Sequence, residues 1–96
     1  MADAADRESR TKRLRYRAWR RGTLEMDLMM GRFADAALGG MDECQLHRFE
    51  LLLNQPDPDI HAWIDGRREV PDHLRSDVLD MMLNFQKLQQ DIEKDT

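Results

Sequence analysis

Apolar side chains recur every three to four residues along most of the chain, and short breaks of glycine and proline divide this pattern into five segments. This spacing is typical of helices that bury one side, and no segment alternates apolar and polar residues as a half-buried strand does. The breaks lie at Gly22, at Gly39-Gly40, at Pro56 and at Gly66. We therefore predict an all-α fold, a small five-helix antiparallel bundle with short loops.

Local sequence signals set the ends of the first two helices. The first helix is predicted over 8–20 and the second over 24–38. Gly22 can adopt the left-handed backbone conformation that ends a helix, and Thr23 is a good N-cap for the helix that follows. Glu25 then lies in the first turn of the second helix, where the helix dipole stabilises a carboxylate.

The next two helices also have start and stop signals. Asp42, followed by Gln45 three positions later, forms a capping-box pattern at the start of the third helix, and Pro56 ends this helix. Asp57 is then predicted to cap a short fourth helix. Pro58 would occupy the first position of that helix, where a missing N–H costs nothing.

The fifth predicted helix follows Pro71 and has the most regular apolar period of the chain. Its predicted buried stripe consists of Leu74, Val78, Met81, Phe85, Leu88 and Ile92. A chain of 96 residues suffices for one compact domain. We predict a disordered N-terminal tail over 1–7 and a single helical domain over 8–94.

The charge of the chain is unevenly distributed. Residues 1–21 have eight basic and three acidic side chains, whereas the whole chain has a net charge of −4. This basic end can steer an acidic partner toward one side of the molecule. Tyr16 and Trp19 lie among the arginines, so an interpretation as a nucleic-acid-binding surface stays open. The acidic remainder of the chain disfavours such binding by the whole domain.

Little in the sequence indicates catalysis, metal binding or a membrane span. Cys44 and His47 are three positions apart, but His61 and His73 stand alone, without the paired spacing of metal ligands. Neither a nucleophile elbow nor a glycine-rich phosphate loop is present. The single cysteine excludes an internal disulfide and indicates a reducing compartment. No apolar run approaches the roughly 20 residues that a membrane helix needs.

Two segments of the chain match the pattern of a known protein family. The first reads Arg13-Leu14-x-Tyr16 and then Arg20-Arg21-Gly22-x-x-Glu25-x-Asp27. The second reads Pro56-Asp57-Pro58-Asp59-Ile60 followed by Trp63. In these segments, in its length and in the order of its helices, the chain resembles the succinate dehydrogenase assembly factor 2 family. Members of that family are also called flavinators or FAD assembly factors.

This resemblance implies a function. Family members bind the flavoprotein subunit of succinate dehydrogenase, and in bacteria also that of fumarate reductase, and they promote covalent attachment of FAD to a histidine of that subunit. The resemblance implies a chaperone without a catalytic site of its own, so His47, His61 and His73 would have no catalytic role. FAD would belong to the client flavoprotein and would not be bound stably by this chain. We further expect a monomer without a nucleic-acid partner, located in a bacterial cytoplasm rather than a mitochondrial matrix.

The resemblance also implies a partner-binding site at the junction of the first two helices. Its residues are Arg21, Gly22 and Glu25, flanked by Tyr16, Arg20 and Asp27. We hypothesise that Arg21 donates charge-assisted hydrogen bonds to carboxylates or carbonyls of the partner. Gly22 has no Cβ and would let the partner's backbone come close. Glu25 would pair with a partner cation or hold Arg21 in its binding rotamer.

Alternatives to this interpretation stay open at the level of the sequence. The residues of the junction also have helix-capping roles, so the motif could be purely structural. The whole chain could instead be a basic-tipped adaptor that binds nucleic acid or another acidic protein. Trp19 is either an additional hydrophobic contact with the partner or a core residue.

Overall fold

The structure, a computed structural model, describes the backbone of residues 4–94 and the side chains of residues 5–90. Within this range the protein consists of α-helices, two short 3-10 helices and loops, and it has no strand. The α-helices are α1 (Ala4–Ala18), α2 (Leu24–Ala37), α3 (Glu43–Leu53), α4 (Asp57–Ile64) and α5 (Asp77–Lys94). None of the described helices is long and apolar enough to cross a membrane. The prediction of an all-α fold with five helices is confirmed.

Helix α1 begins at Ala4, four residues before the predicted start. Alanine favours the helical state, and Arg7 in the first turn takes part in two hydrogen bonds with residues outside that turn. The Thr11 hydroxyl donates to the carbonyl of Arg7 over 2.8 Å, and the Arg7 guanidinium donates to the carbonyl of Met41. Residues 4–7 of the predicted disordered tail are therefore helical, and residues 1–3 lie outside the described part of the chain.

Two of the predicted helix starts are confirmed in atomic detail. The Thr23 hydroxyl accepts a hydrogen bond from the backbone N–H of Met26 over 3.3 Å at the start of α2. At the start of α3, Asp42 Oδ1 accepts from the Gln45 backbone N–H over 2.8 Å. Gln45 Oε1 in turn accepts from the Asp42 backbone N–H over 3.1 Å, which completes the capping box.

The prediction that Asp57 caps α4 is wrong. Pro56 is the N-cap residue, and its carbonyl accepts the first helical hydrogen bonds, among them one from the Ile60 N–H over 3.1 Å. Asp57 is therefore the first residue of the helix, and its carboxylate accepts from the guanidinium of Arg21. Local sequence signals predict that the Asp57 side chain caps the helix, but in the structure it forms a long-range ion pair with Arg21 instead.

The other end of α4 is closed by glycine, as predicted. Gly66 has a φ of 75°, in the left-handed region that glycine adopts without strain. The backbone N–H of Gly66 donates to the carbonyl of Trp63 over 3.3 Å. The N–H of Arg67 donates to the carbonyl of Ala62 over 2.9 Å. These two bonds satisfy carbonyls that the helix itself leaves unpaired.

The hydrophobic core lies where α2, α3 and α5 meet. Phe33 of α2 packs against Phe49 of α3 with ring centroids 5.6 Å apart. It also meets Phe85 of α5 edge-on at 5.7 Å. Helix α1 covers α2 and α3 on one side, and α4 packs against α5 on another. Aromatic pairs of this geometry stabilise the contact beyond the area they bury.

Helix α5 buries a different face from the predicted stripe. The buried side chains in its described part are Val78, Leu79, Met82 and Gln86. Val78 is buried as predicted and Phe85 is partly buried. Met81 and Leu88, which were predicted to be buried, are exposed to 38% and 60%.

A polar contact accounts for the difference between the predicted and the observed buried face of α5. Gln86 Nε2 donates to the carbonyl of Met29 in α2 over 2.7 Å, so a buried amide finds a partner and the Gln86 face turns inward. Leu74 lies before α5, in the 3-10 helix Asp72–Leu74. The side chain of Ile92 lies outside the described residues.

Candidate functional site

The junction between α1 and α2 is a tight turn held by one carboxylate. Helix α1 ends at Ala18 and α2 begins at Leu24. Asp27 Oδ1 accepts from the backbone N–H groups of Arg21, over 2.5 Å, and Gly22, over 3.2 Å. Asp27, which was predicted to flank the site, therefore orders the backbone of the junction.

Gly22 is required by the shape of this turn. Its φ is 118°, a conformation that side chains disfavour. A Cβ added at this position would have no atom within 4 Å, so the glycine is not there to avoid a clash inside the protein. Because Gly22 is exposed and has no side chain, the surface stays open to a partner's backbone at this point.

Arg21 points into the protein, and its side chain is only 10% exposed. Its Nε donates to Asp57 Oδ1 over 2.8 Å. Its Nη1 donates to the carbonyl of Leu53 over 2.6 Å and its Nη2 to that of Gln55 over 2.8 Å. Arg21 thus joins the junction to the end of α3 and the start of α4. Its direct contact with a partner stays a prediction, whereas these bonds within the chain are observed.

Arg20 and Tyr16 lie on the outside of the molecule. The Arg20 guanidinium sits over the Tyr16 ring at 4.3 Å from the centroid. Tyr16 is nevertheless 61% exposed, and Arg20 is exposed as well. A cation–π contact of this kind restricts both side chains and leaves their remaining surface available for binding.

Glu25 is 68% exposed and pairs with a residue of α4. Its Oε1 lies 3.0 Å from Nε2 of His61. The expectation that Glu25 holds Arg21 in place is not met, because Asp57 occupies that position. Leu24, beside Glu25 in the first turn of α2, is 74% exposed.

His61 is a residue of this site that sequence reasoning missed. It is 36 positions from Glu25, and nothing in the spacing of the chain connects the two. The hint available was its place in the second family-like segment, directly after Ile60. Ile60 is buried, which holds α4 against the bundle.

Trp19 packs against α2. A Cβ added at Gly31 of α2 would overlap the Trp19 indole, so the two groups are in close contact. The indole Nε1 donates to Asp35 Oδ1 over 3.2 Å. Trp19 is half-buried, and its packing supports the interpretation as a core residue.

Several cations of the basic run have partners within the chain. Arg15 Nε lies 3.2 Å from Asp35 Oδ1. Arg17 Nη2 donates to Asn54 Oδ1 over 2.7 Å. Among the described residues, no group of three or more histidine, cysteine, aspartate and glutamate side chains is arranged to hold a metal ion. Cys44 is exposed.

The fold and site define a class: a small all-α domain with a charged, hydrogen-bonded helix junction on its surface. A family model described as a flavinator of succinate dehydrogenase matches residues 12–86. The chain therefore belongs to this family.

Curated relatives from eukaryotes and bacteria agree with this assignment. The chain is 43% identical over 75 residues to "Succinate dehydrogenase assembly factor 2, mitochondrial" of Dictyostelium discoideum, covering 78% of this chain and 53% of that protein. It is 36% identical over 78 residues to the protein of the same name of Danio rerio, covering 79% and 49%. It is 32% identical over 80 residues to "FAD assembly factor SdhE" of Acetobacter pasteurianus, covering 83% and 73%. The chain spans about half the length of these two mitochondrial relatives.

Proposed function

We propose that this protein is an assembly factor that binds the flavoprotein subunit of succinate dehydrogenase and promotes covalent attachment of FAD to that subunit. Membership of the flavinator family supports the activity. The observation that supports the site is that most residues of the motif, though not Arg21, are exposed on a hydrogen-bonded turn. We call the exposed residues the junction patch: Tyr16, Arg20, Gly22, Leu24 and Glu25.

The junction patch suits binding by a preorganised surface. The Asp27 carboxylate fixes the turn, and Arg21 ties it to α3 and α4. Little conformational entropy would therefore be lost when a partner docks. In this proposal Arg20, Leu24 and Glu25 contact the client, whereas Arg21 and Asp27 position them.

We propose the remaining properties of the factor by analogy with the family. It acts as a chaperone without a catalytic site, and FAD stays with the client instead of being held by this chain. The proposed client is the flavoprotein subunit of succinate dehydrogenase, and the flavoprotein of fumarate reductase is a further candidate whose rank against it the sequence does not give. We propose a monomer in a bacterial cytoplasm; the relatives include both a bacterial factor and factors named mitochondrial.

The alternative, a basic adaptor for nucleic acid or another acidic protein, has less support. Arg15 is paired with Asp35, and Arg21 is mostly buried against Asp57. The basic run is therefore less available to phosphates than its sequence suggests. A nucleic-acid surface relies on such free cations for most of its affinity.

Glu25→Ala tests the proposed function. The glutamate is exposed, so the variant should keep its helicity and melting temperature, whereas covalent flavin on the client should be lost. The measurement is in-gel flavin fluorescence of the denatured flavoprotein subunit, from cells that lack this gene and express either wild type or the variant.

Glu43→Ala is the matched control, because Glu43 is an exposed glutamate in the first turn of α3, as Glu25 is in α2. It should restore the flavin band fully. A band of wild-type strength with Glu25→Ala would overturn the proposed site. A Glu25→Ala protein that melts early would instead support a capping role for this glutamate.

A further inference from the structure

The carboxylate of Glu25 is held on one side only. Its Oε1 lies 3.0 Å from Nε2 of His61. Within the described residues its Oε2 has no hydrogen-bond or ion-pair partner. An exposed glutamate normally samples many rotamers, and this contact restricts that freedom before any partner arrives.

The His61 ring is itself fixed by the end of α4. Arg67 Nη2 lies 3.0 Å from Nδ1 of His61 and 3.2 Å from Oδ2 of Asp65. Oδ2 of Asp65 also lies 3.3 Å from Nδ1, so a guanidinium and a carboxylate both face this nitrogen and hold the ring in place. A carboxylate can only accept, so the hydrogen bond to Oε1 of Glu25 requires a proton on Nε2.

The backbone under His61 is also well supported. Both Ile60 and Ala62, its neighbours in α4, are buried, and so is Trp63. His61 itself is 28% exposed, so its ring lies between the core and the surface. A donor held in this way can orient an exposed side chain of the neighbouring helix α2.

We propose that His61 is a positioning residue for client binding: it holds Oε1 of Glu25 and leaves Oε2 as the acceptor for a cationic or amide donor of the flavoprotein. The inference rests on the proposed function, because it assigns His61 to the client contact that Glu25 makes. His61 acts through Glu25 and does not touch the client's flavin or its reacting atoms.

A double-mutant cycle tests this inference. Binding of the purified flavoprotein subunit of succinate dehydrogenase is measured by calorimetry for four proteins: wild type, His61→Phe, Glu25→Ala and the double variant. Phenylalanine keeps the ring and removes the donor, so His61→Phe should weaken binding about fivefold, because the Glu25 side chain would then have to be ordered when the client binds. In the Glu25→Ala background, the same substitution should change nothing, because its only route of action is gone.

His61→Gln is the rescue variant, because its amide nitrogen can donate from nearly the position of Nε2. It should bind within about twofold of wild type. Melting temperatures of all variants are measured in parallel, and His61→Phe should melt like His61→Gln.

Each other outcome contradicts a particular statement. A loss that persists in the Glu25→Ala background would show that His61 acts on the fold of α4, and the inference would be wrong. Wild-type affinity for His61→Phe, with a loss for Glu25→Ala, would overturn the inference and leave the proposed function standing. Wild-type affinity for both single variants would overturn the proposed site and the inference together.

Discussion

Arg20 and Arg21 are neighbours of the same residue type with different surroundings. Arg20 lies outside, over the ring of Tyr16. Arg21 lies inside, with hydrogen bonds to two backbone carbonyls and to Asp57. In the sequence motif the two arginines look equivalent. Local sequence signals do not show which of two adjacent side chains points inward. The hydrogen bond between the Arg21 backbone and Asp27 fixes the turn, and the turn sets which arginine points inward.

We expect Arg21→Ala to destabilise the protein by about 2–3 kcal/mol, because the Asp57 carboxylate and two carbonyls would lose a charged donor in a partly buried site. Arg20→Ala should change the free energy of unfolding by less than about 0.5 kcal/mol, as exposed substitutions usually do. Urea unfolding of both variants measures the difference. Client binding should be weaker for Arg20→Ala.

Equal stability of the two arginine variants would contradict the structural role of Arg21. If Arg21→Ala were as stable as wild type and failed to bind the client, the original hypothesis of direct contact would be supported instead.

At the scale of helices, the sequence predicts what is local. The Thr23 cap, the capping box of α3 and the glycine stop of α4 depend on residues a few positions apart, and all three are confirmed. The buried face of α5 was predicted incorrectly, since it depends on Gln86 reaching the carbonyl of Met29. The spacing of apolar residues cannot predict that a polar residue such as Gln86 is buried.

The contact of α1 with α2 depends on the absence of a side chain at Gly31. A Cβ there would overlap the Trp19 indole. We expect Gly31→Ala to destabilise the protein by about 1–3 kcal/mol, because an overpacked contact forces its neighbours to move. Thermal unfolding measures the loss. In a Trp19→Leu background the same substitution should cost less, and an undiminished cost would place its effect elsewhere in α2.

The contact of α3 with α5 should make the free energy of unfolding depend on pH in the acidic range. The Gln45 amide, over 3.0 Å, and the Arg48 guanidinium, over 2.7 Å, hold the pKa of the Asp77 carboxyl below its ordinary value of 3.8. A pKa that is lower in the folded state adds stability above the unfolded-state value. This stability is lost as the pH falls through the folded-state pKa.

Asp77→Asn should therefore reduce the loss of stability in acid. The measurement is the urea midpoint of both proteins at about pH 7 and about pH 3, and the wild type should lose more between the two. Equal losses would show that Asp77 does not contribute to the acid dependence.

At the scale of the whole molecule, the net charge of −4 and the ion pairs that Arg15 and Arg21 make within the chain oppose binding to nucleic acid. We expect no saturable binding of a fluorescent single-stranded oligonucleotide at about 10 µM protein and about 100 mM salt. Fluorescence anisotropy measures this binding. Affinity that falls steeply with added salt would support the adaptor alternative.

The five-helix fold could be predicted from the sequence because apolar period and breaks agree along the whole chain. The candidate site could be predicted only in part. Tyr16, Arg20, Gly22 and Glu25 are exposed at the junction, in keeping with a binding role. His61 could not be connected with Glu25, because the contact forms only when the folded chain brings the His61 side chain to the start of α2.

The hydrogen bonds of Arg21 make the two family-like segments one unit in space. Anyone who transplants residues 19–27 alone onto a foreign helical scaffold would leave this guanidinium without Asp57 and the carbonyls of Leu53 and Gln55. The chimera would keep the sequence of the motif and lose its conformation. A portable binding element would have to include residues 53–57 as well, and His61 if Glu25 is to keep its orientation.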